Sequence, residues 1–496
     1  MKRVSVSSAN LRDAARPWFI SCDAGTLRNV LEQAARRAAQ TGRATPASIV
    51  FTLPATDPLR VWQALQTLAP GECFYWEQVE RQISLVSAGA ALSMQARGQE
   101  RFAAAAQFWR RLREEAIVEY ITDLPADVTS AEHGPVLVGG FSFDPQRPRT
   151  PLWQDFPAGL LILPRLLFSQ RADQATLTFS CLIYTTDNLD DLTKAIREEI
   201  ARFSELMSRP STFSVPLSPA TSPYAVRDVW PMPAWKELVG RAISSIRQGA
   251  YTKIVLARQA EITNGVFDLA QTLQNLRQSY PNACVFAFQR GERTFIGATP
   301  ERLVYARESK LHTVALAGSA PRGASAEEDR RLGSELLHSP KNRGEHEIVI
   351  AMLRDSLAHL CSRVWVADTP ELLRLKNIQH LQTAIVGELL PGRTLLEALH
   401  TLHPTPAVGG TPTDAALSFI REHENLDRGW YAGPLGWIDL RGNGEFVVAL
   451  RSALLEKQRA MLFAGCGIVK DSDPEAEYTE SCLKLQVILR SLAREE

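Results

Sequence analysis

Cysteine is scarce in this chain and scattered along it. Among 496 residues there are seven, at 22, 73, 181, 284, 361, 466 and 482, and no two stand as CxxC. That spacing excludes a disulfide framework and a four-cysteine zinc site, and it points to a reducing compartment, with the cytoplasm expected. Net charge is also missing, since 55 Lys plus Arg balance 55 Asp plus Glu. No global field recruits nucleic acid or an anionic membrane, so neither is an expected partner and any anion site is local. Long apolar runs are absent too. PAGLLILPRLLF at 157–168 is too short to span a bilayer and is interrupted by Pro164 and Arg165. The opening MKRVSVSSANLRDAARPW has no apolar centre of the kind a secretory signal needs. There is no fixed-period repeat. His346 heads HEIVI without a second histidine at the HExxH position, so a zinc-protease reading fails.

What is present is an ordinary globular composition, 45% hydrophobic and 22% charged. The length suits two or three average domains, or one unusually large sheet-based domain. Residues 208–233, SRPSTFSVPLSPATSPYAVRDVWPMP, are rich in Ser and Pro and carry neither periodicity, so they read as a linker. Before it, residues 1–207 alternate helix-like stretches (25–39, 100–118, 190–207) with strand-like ones such as PVLVGGFSF and TLTFSCLIYTT. This N-terminal α/β subdomain carries no chemical constellation and reads as a scaffold. After it, residues 234–496 form the expected catalytic region. Trp235, Leu238, Val239, Ala242, Ile243 and Ile246 make a helical stripe, followed by Gly249 where a C-terminal cap belongs. YTKIVLAR at 251–258 reads as a strand, and 431–469 as an antiparallel meander with turns at RGNG and EKQR. The expected fold class is α+β, with large, mostly antiparallel sheets packed with helices.

Two acidic helix starts are the most informative feature. In DPEAEYTESCLK at 473–484, Pro474 suits a first turn, so Glu477, Glu480 and Lys484 share one face. In KNRGEHEIVIAMLRDSL at 341–357, Glu345 heads a stripe through Val349 and Met352. Carboxylates on core-facing stripes need a cation between them, and Mg²⁺ is the economical one because it takes few carboxylates and leaves room for an anionic substrate. Lys253 interrupts an aliphatic strand. It is either an edge or snorkelling lysine, or an amine desolvated enough to act as a base. Glu301, after Pro300, is either a plain turn residue or the acid that complements that base. Arg451 lies in FVVALRSALL, where it needs an anion, from a helix glutamate or from a ligand. Gly465 and Gly467 either bend a strand or let a ligand approach the backbone. His403, in LHPTPAVGG, reads as a satisfied loop residue.

In order along 230–490, the segments TKIVLAR, GATPERL, ALAGSAPRG, KNRGEHEIV, QHLQT, LHPTPAVGG, WYAGPLGW, VALRSALL, AGCGIV and PEAEYTESCLKL resemble the chorismate-utilising enzyme family, and within it the isochorismate-forming branch. FYWEQVE and GGFSFDP in the N-terminal region resemble the longer members of that branch, including those that serve salicylate siderophores. The resemblance implies that water attacks C2 of chorismate as the C4 hydroxyl leaves, with the active site in a deep cleft of the C-terminal region. Lys253 would be the base and Glu301 the acid. Glu345 and Glu480 would hold Mg²⁺, with Glu477 assisting through a bound water. Tyr431, Arg451 and Lys484 would grip the pyruvyl carboxylate beside Gly465 and Gly467, and His380 would line the ring site. Family members that install ammonia typically carry Gln at the position of Lys253, and the aminodeoxychorismate enzymes carry a nucleophilic Lys at that of Ala317. Salicylate synthases, which go on to expel pyruvate, tend to carry Thr where this chain has Ala407, followed by Val408. Asn342 stands where several relatives carry Asp or Glu. A pyruvate lyase acting on isochorismate is the implied downstream partner, and a monomer or weak dimer is the expected assembly.

Overall fold

Alternating side chains build the molecule, as a computed structural model shows for residues 20, 23–121, 133–146, 150–209, 224–374 and 378–494. Two runs of antiparallel strands leave the long strand Gly159–Arg171. One run passes through Val136–Phe141, Pro434–Asp439, Gly444–Val448, Arg302–Arg307, Lys310–Pro321 and Ile378–Leu389. The other passes through Ile83–Ala96, Glu72–Gln78, Cys284–Arg290, Arg293–Thr299, Ser452–Glu456 and Arg459–Ile468 to Lys253–Thr263. Thr45–Pro54 pairs in parallel with Ile117–Ile121, against a background of antiparallel ladders. The mostly antiparallel α+β architecture expected from the sequence is what is found, including the 431–469 meander.

Strand period decides which core each residue enters. Phe74, Trp76, Phe286, Phe295 and Phe463 share a buried cluster with Val304, Leu435, Trp437 and Phe446 of the facing run. Their neighbours Tyr75, Val285, Ile296 and Leu462 point the other way, into a second cluster. That cluster is closed by the helices Ala24–Thr41, Pro58–Leu68, Leu189–Ser208, Leu269–Ser279 and Pro474–Leu489. Each fully buried Phe or Leu contributes about 1.5–3 kcal/mol from removal of its surface from water. All five of these helices start on an Asp or Asn whose side chain accepts an amide of the first turn, as Asp23 does from Thr26 and Asp473 from Ala476.

Strands from either side of 208–233 hydrogen bond directly to one another: Glu72–Gln78 with Cys284–Arg290, and Val136–Phe141 with Pro434–Asp439. Of the proposed linker itself, 210–223 lie outside the described residues. Trp235, Leu238, Val239, Ala242, Ile243 and Ile246 are buried on the helix Met232–Arg247, and Gly249 follows at φ +83°. No helix among the described residues is long and apolar enough to cross a membrane.

Candidate active site

Lys253 opens the strand Lys253–Thr263 and projects over the neighbouring strand Arg459–Ile468. The room for it comes from glycine: a Cβ on Gly467 would lie 3.0 Å from Lys253 Cε. Gly465 does the same for Tyr431, whose hydroxyl would meet a Cβ there at 3.0 Å. Tyr431 is buried, stacked on Phe463 at 5.2 Å between ring centroids, and burial raises its phenol well above the usual range. Lys253 is half-buried. Its enclosure at the base of the site is the largest influence on its amine and pulls the pKa below 10.5, while Glu301 and Glu345 push it back up, Lys484 lowers it and Glu480 raises it.

Glu301 follows the strand Arg293–Thr299 through Pro300. Its amide donates to Thr299 Oγ1 at 3.2 Å and its carbonyl accepts from Val448 N at 3.0 Å, so the backbone is pinned on both sides. Burial raises its carboxyl above 4.5, opposed by Arg451, Lys253 and Lys484 in that order. Arg451 differs from its expected setting within a buried strand. It occupies the link between Gly444–Val448 and Ser452–Glu456, in left-handed backbone at φ +48°, and is half-buried. Its guanidinium forms no ion pair or hydrogen bond among the described residues, and neither do the side-chain polar groups of Lys253, Glu301 and Glu345. Four charged groups act on one another electrostatically without a direct bond among them, the kind of unsatisfied, pKa-shifted cluster that marks a candidate site.

On Pro474–Leu489 the expected shared face is present. Lys484 Nζ lies 2.6 Å from Glu480 Oε1 and donates to Gly465 O at 2.8 Å. Ligand atoms of Glu477, Glu480 and Cys466 lie within 4.8 Å of one another. Burial pushes the Cys466 thiol up to about 12, and its sulfur donates to Glu477 O at 3.2 Å; as a soft donor it suits a hard cation less than the carboxylates beside it. What remains is a pair of carboxylates, hard oxygen donors that fit a small divalent cation. Glu477 accepts from Ser472 Oγ at 2.7 Å, and its carboxyl is raised by burial and by the neighbouring Glu480.

Glu345 needs correction in one respect. The helix Pro340–Ala358 buries His346, Leu353 and Leu357 and packs the half-buried Val349 and Met352 of the expected stripe against the core, but Glu345 at the head of that stripe is exposed. It stands outside the three-residue cluster and acts on Lys253 through its field. His346 Nε2 meets Thr383 Oγ1 at 2.7 Å and is held neutral by burial, a packing role. Asn342 caps back onto Ser339 Oγ at 2.9 Å and lies beside Gly318, whose φ of +76° sits at an irregularity in the ladder next to Ala317.

The opposite wall comes from the other run of strands. His380, on Ile378–Leu389, meets Ser319 Oγ through Nδ1 at 2.8 Å, and its pKa is pushed down to about 4 by burial, then by Lys484 and Lys253. It is therefore a neutral imidazole near pH 7. Ala407 and Glu301 line a shared recess with Leu316, Val349 and Leu353. His403 is buried and bonded through Nε2 to Phe143 O at 3.0 Å, while its Nδ1 has no hydrogen-bond partner among the described residues.

Glu424 and Arg428 were not singled out by sequence. They form a fully enclosed ion pair, 0% and 3% exposed, behind the Lys253 strand. A Glu and an Arg four residues apart in REHENLDRGWY are the only signal, and such spacing usually marks a solvated face.

Residues 31–493 match the family model described as chorismate binding enzyme. The chain is 38% identical over 470 residues to the salicylate biosynthesis isochorismate synthase of Pseudomonas aeruginosa, covering 94% of each. It is 34% identical over 473 residues to the isochorismate synthase MenF of Bacillus subtilis, covering 95% of this chain and 98% of that one. In fold it is similar to MenF, the menaquinone-specific isochorismate synthase from Escherichia coli, with a TM-score of 0.72, 28% identity, and coverage of 95% of this chain and 100% of that one.

Proposed function

We infer the reaction from one premise: the chain belongs to the chorismate-binding enzyme family. It is an isochorismate synthase, an isomerase that converts chorismate reversibly to isochorismate. The observation that carries this is the group of Lys253, Glu301 and Arg451, charged side chains that influence one another yet make no side-chain ion pair or hydrogen bond among the described residues.

In the forward direction the neutral amine of Lys253 takes a proton from water as the oxygen bonds to C2 of the ring. The ring double bond shifts, the C4–O bond breaks, and protonated Glu301 delivers its proton to the departing hydroxyl. One water enters and one leaves, so substrate and product are isomers. The two pKa shifts run in the direction these roles need, since burial favours the neutral amine of Lys253 and the protonated carboxyl of Glu301. Arg451, Lys484 and Tyr431 bind the pyruvyl carboxylate, with the bare backbone at Gly465 and Gly467 beside it, and His380 and Ala407 line the ring. Glu480 and Glu477, whose ligand atoms lie within 4.8 Å of each other, are the residues that would hold Mg²⁺, with Glu345, outside that cluster, the further ligand that the family resemblance implies. Bound there, the ion supplies positive charge for the ring carboxylate. Lys484 engages only Oε1 of Glu480, which leaves the other carboxylate oxygen for the ion, and its ammonium stands beside Gly465 on the substrate side.

Incubation with chorismate and Mg²⁺ is expected to give isochorismate, and isochorismate supplied alone is expected to return chorismate. Accumulation of salicylate and pyruvate without an added lyase would replace this reading by a salicylate synthase.

A further inference from the structure

The strand Lys253–Thr263 has an incomplete second edge. On one side it is laddered to Arg459–Ile468 along its length. On the other, Thr411 and Gly410 pair with Lys253 and Ile254, and Arg227 and Asp228 pair with Glu261 and Ala260. Between those two short pairings no strand among the described residues lies alongside, yet the residues there are buried and their main-chain groups need partners. Glu424 and Arg428 supply them. Glu424 Oε2 accepts from Ala257 N at 2.8 Å, and Arg428 Nη2 donates to Val255 O at 2.7 Å. The same guanidinium donates through Nη1 to Val408 O at 3.0 Å, and holds Glu424 through Nε at 2.7 Å and Nη2 at 2.5 Å. Its plane lies over the Phe143 ring, 4.2 Å from the centroid. Its own carbonyl accepts from Tyr431 N at 2.8 Å.

One arginine therefore ties three parts of the site together: the strand two residues after Lys253, the loop residue after Ala407, and the backbone of Tyr431. We propose that Glu424 and Arg428 are positioning residues, an ion pair that takes the place of a missing strand and sets the distance from the Lys253 amine to the Ala407–Val408 wall. The inference rests on the isochorismate synthase reading, since it gives Lys253 the role of base. Neither residue touches substrate. Their effect is geometric: with the pair intact the amine faces a water at C2, and with the pair loosened the amine and the loop move relative to the ring. A misplacement of about 1 Å costs a general base on the order of a hundred-fold in rate. A lysine at 428 keeps the charge but cannot reach Val255, Val408 and Glu424 together from a single nitrogen.

The test compares wild type with Arg428→Lys and Glu424→Gln, with rates normalised to the folded fraction by circular dichroism. Both variants are expected to lose about ten- to a hundred-fold in kcat, with KM for chorismate changed by less than about three-fold. The limb of the pH–kcat profile that depends on Lys253 is expected to move, and Arg428→Lys is expected to retain more activity than Arg428→Met. Should either variant fail to fold, Phe143→Leu removes the ring beneath the guanidinium without touching the ion pair, and the same displaced limb is expected. Unchanged kcat per folded molecule with an unmoved pH profile, alongside a lower Tm, overturns the positioning role and leaves the pair purely structural. A wild type that binds chorismate but makes no isochorismate overturns the functional reading itself, and the inference with it.

Discussion

Two clusters of charge lie within a few residues of each other along the Lys253 strand, and they are built on opposite terms. Behind the strand, every polar atom of the Glu424–Arg428 pair has a partner, and the pair is sealed from water. In front of it, Lys253, Glu301, Arg451 and Glu345 make no side-chain bonds among the described residues and are balanced by one another's fields and by those of Lys484 and Glu480. The difference separates charges that hold the chain from charges that wait for a ligand. A satisfied buried pair resists removal of either member, because the survivor is left uncompensated. An unsatisfied set is already under strain, so losing one member disturbs stability little and function severely.

The sharpest way to break this comparison is Lys253→Ala. Turnover is expected to fall by about 10²–10⁴-fold while chorismate binding, followed by calorimetry, stays measurable and Tm does not fall. A near-wild-type rate would remove the base from the front cluster. Next, the two arginines are set against each other. Arg428→Met is expected to cost about 3–5 kcal/mol of stability in urea denaturation. Arg451→Met is expected to leave stability nearly unchanged while weakening chorismate binding by about 1.5–3 kcal/mol. Because Arg451 lowers the Glu301 pKa, its removal should also move the Glu301-dependent limb of the pH–rate profile to higher pH. Equal stability losses for both arginines would erase the distinction. A smaller effect is expected for Glu480→Gln, which should weaken Mg²⁺ binding by about ten-fold or more in titration calorimetry; unchanged affinity would move the ligand elsewhere. The smallest concerns His380 and His403, pushed down to about 4 and about 3 by burial. Both are neutral when folded and bind protons near pH 6.5 when unfolded, so stability is full above that value. It should be lost as pH falls from about 6.5 toward 4, by at most ~1.4 kcal/mol per pH unit for each histidine.

Much of this was legible in the sequence, and the failures have physical causes. Strand and helix positions followed from period, because alternating residues such as Phe74, Tyr75 and Trp76 must enter different cores. Helix starts followed from Pro474 and its neighbours. On the helix bearing Glu345 the apolar positions Val349 and Met352 pack as expected, but periodicity did not reveal that Glu345 itself is exposed while His346, bonded to Thr383, is the buried polar residue of the first turns. Arg451 was expected within a strand, since nothing local announces a left-handed link in an aliphatic run. Glu424 and Arg428 were invisible as a site because burial depends on distant segments: Phe143, Val255, Ala257 and Val408 enclose them. Pairing between strands on either side of 208–233 was equally out of reach, being set by long-range register.

The Lys484–Glu480 contact has a consequence for how this molecule is made. A helix that carries its own ammonium beside its acidic pair has an internal counter-ion from the moment it folds. Synthesis and loading are thereby uncoupled: chelation should silence such a protein without melting it, and activity should return on adding the ion back, with no refolding in between.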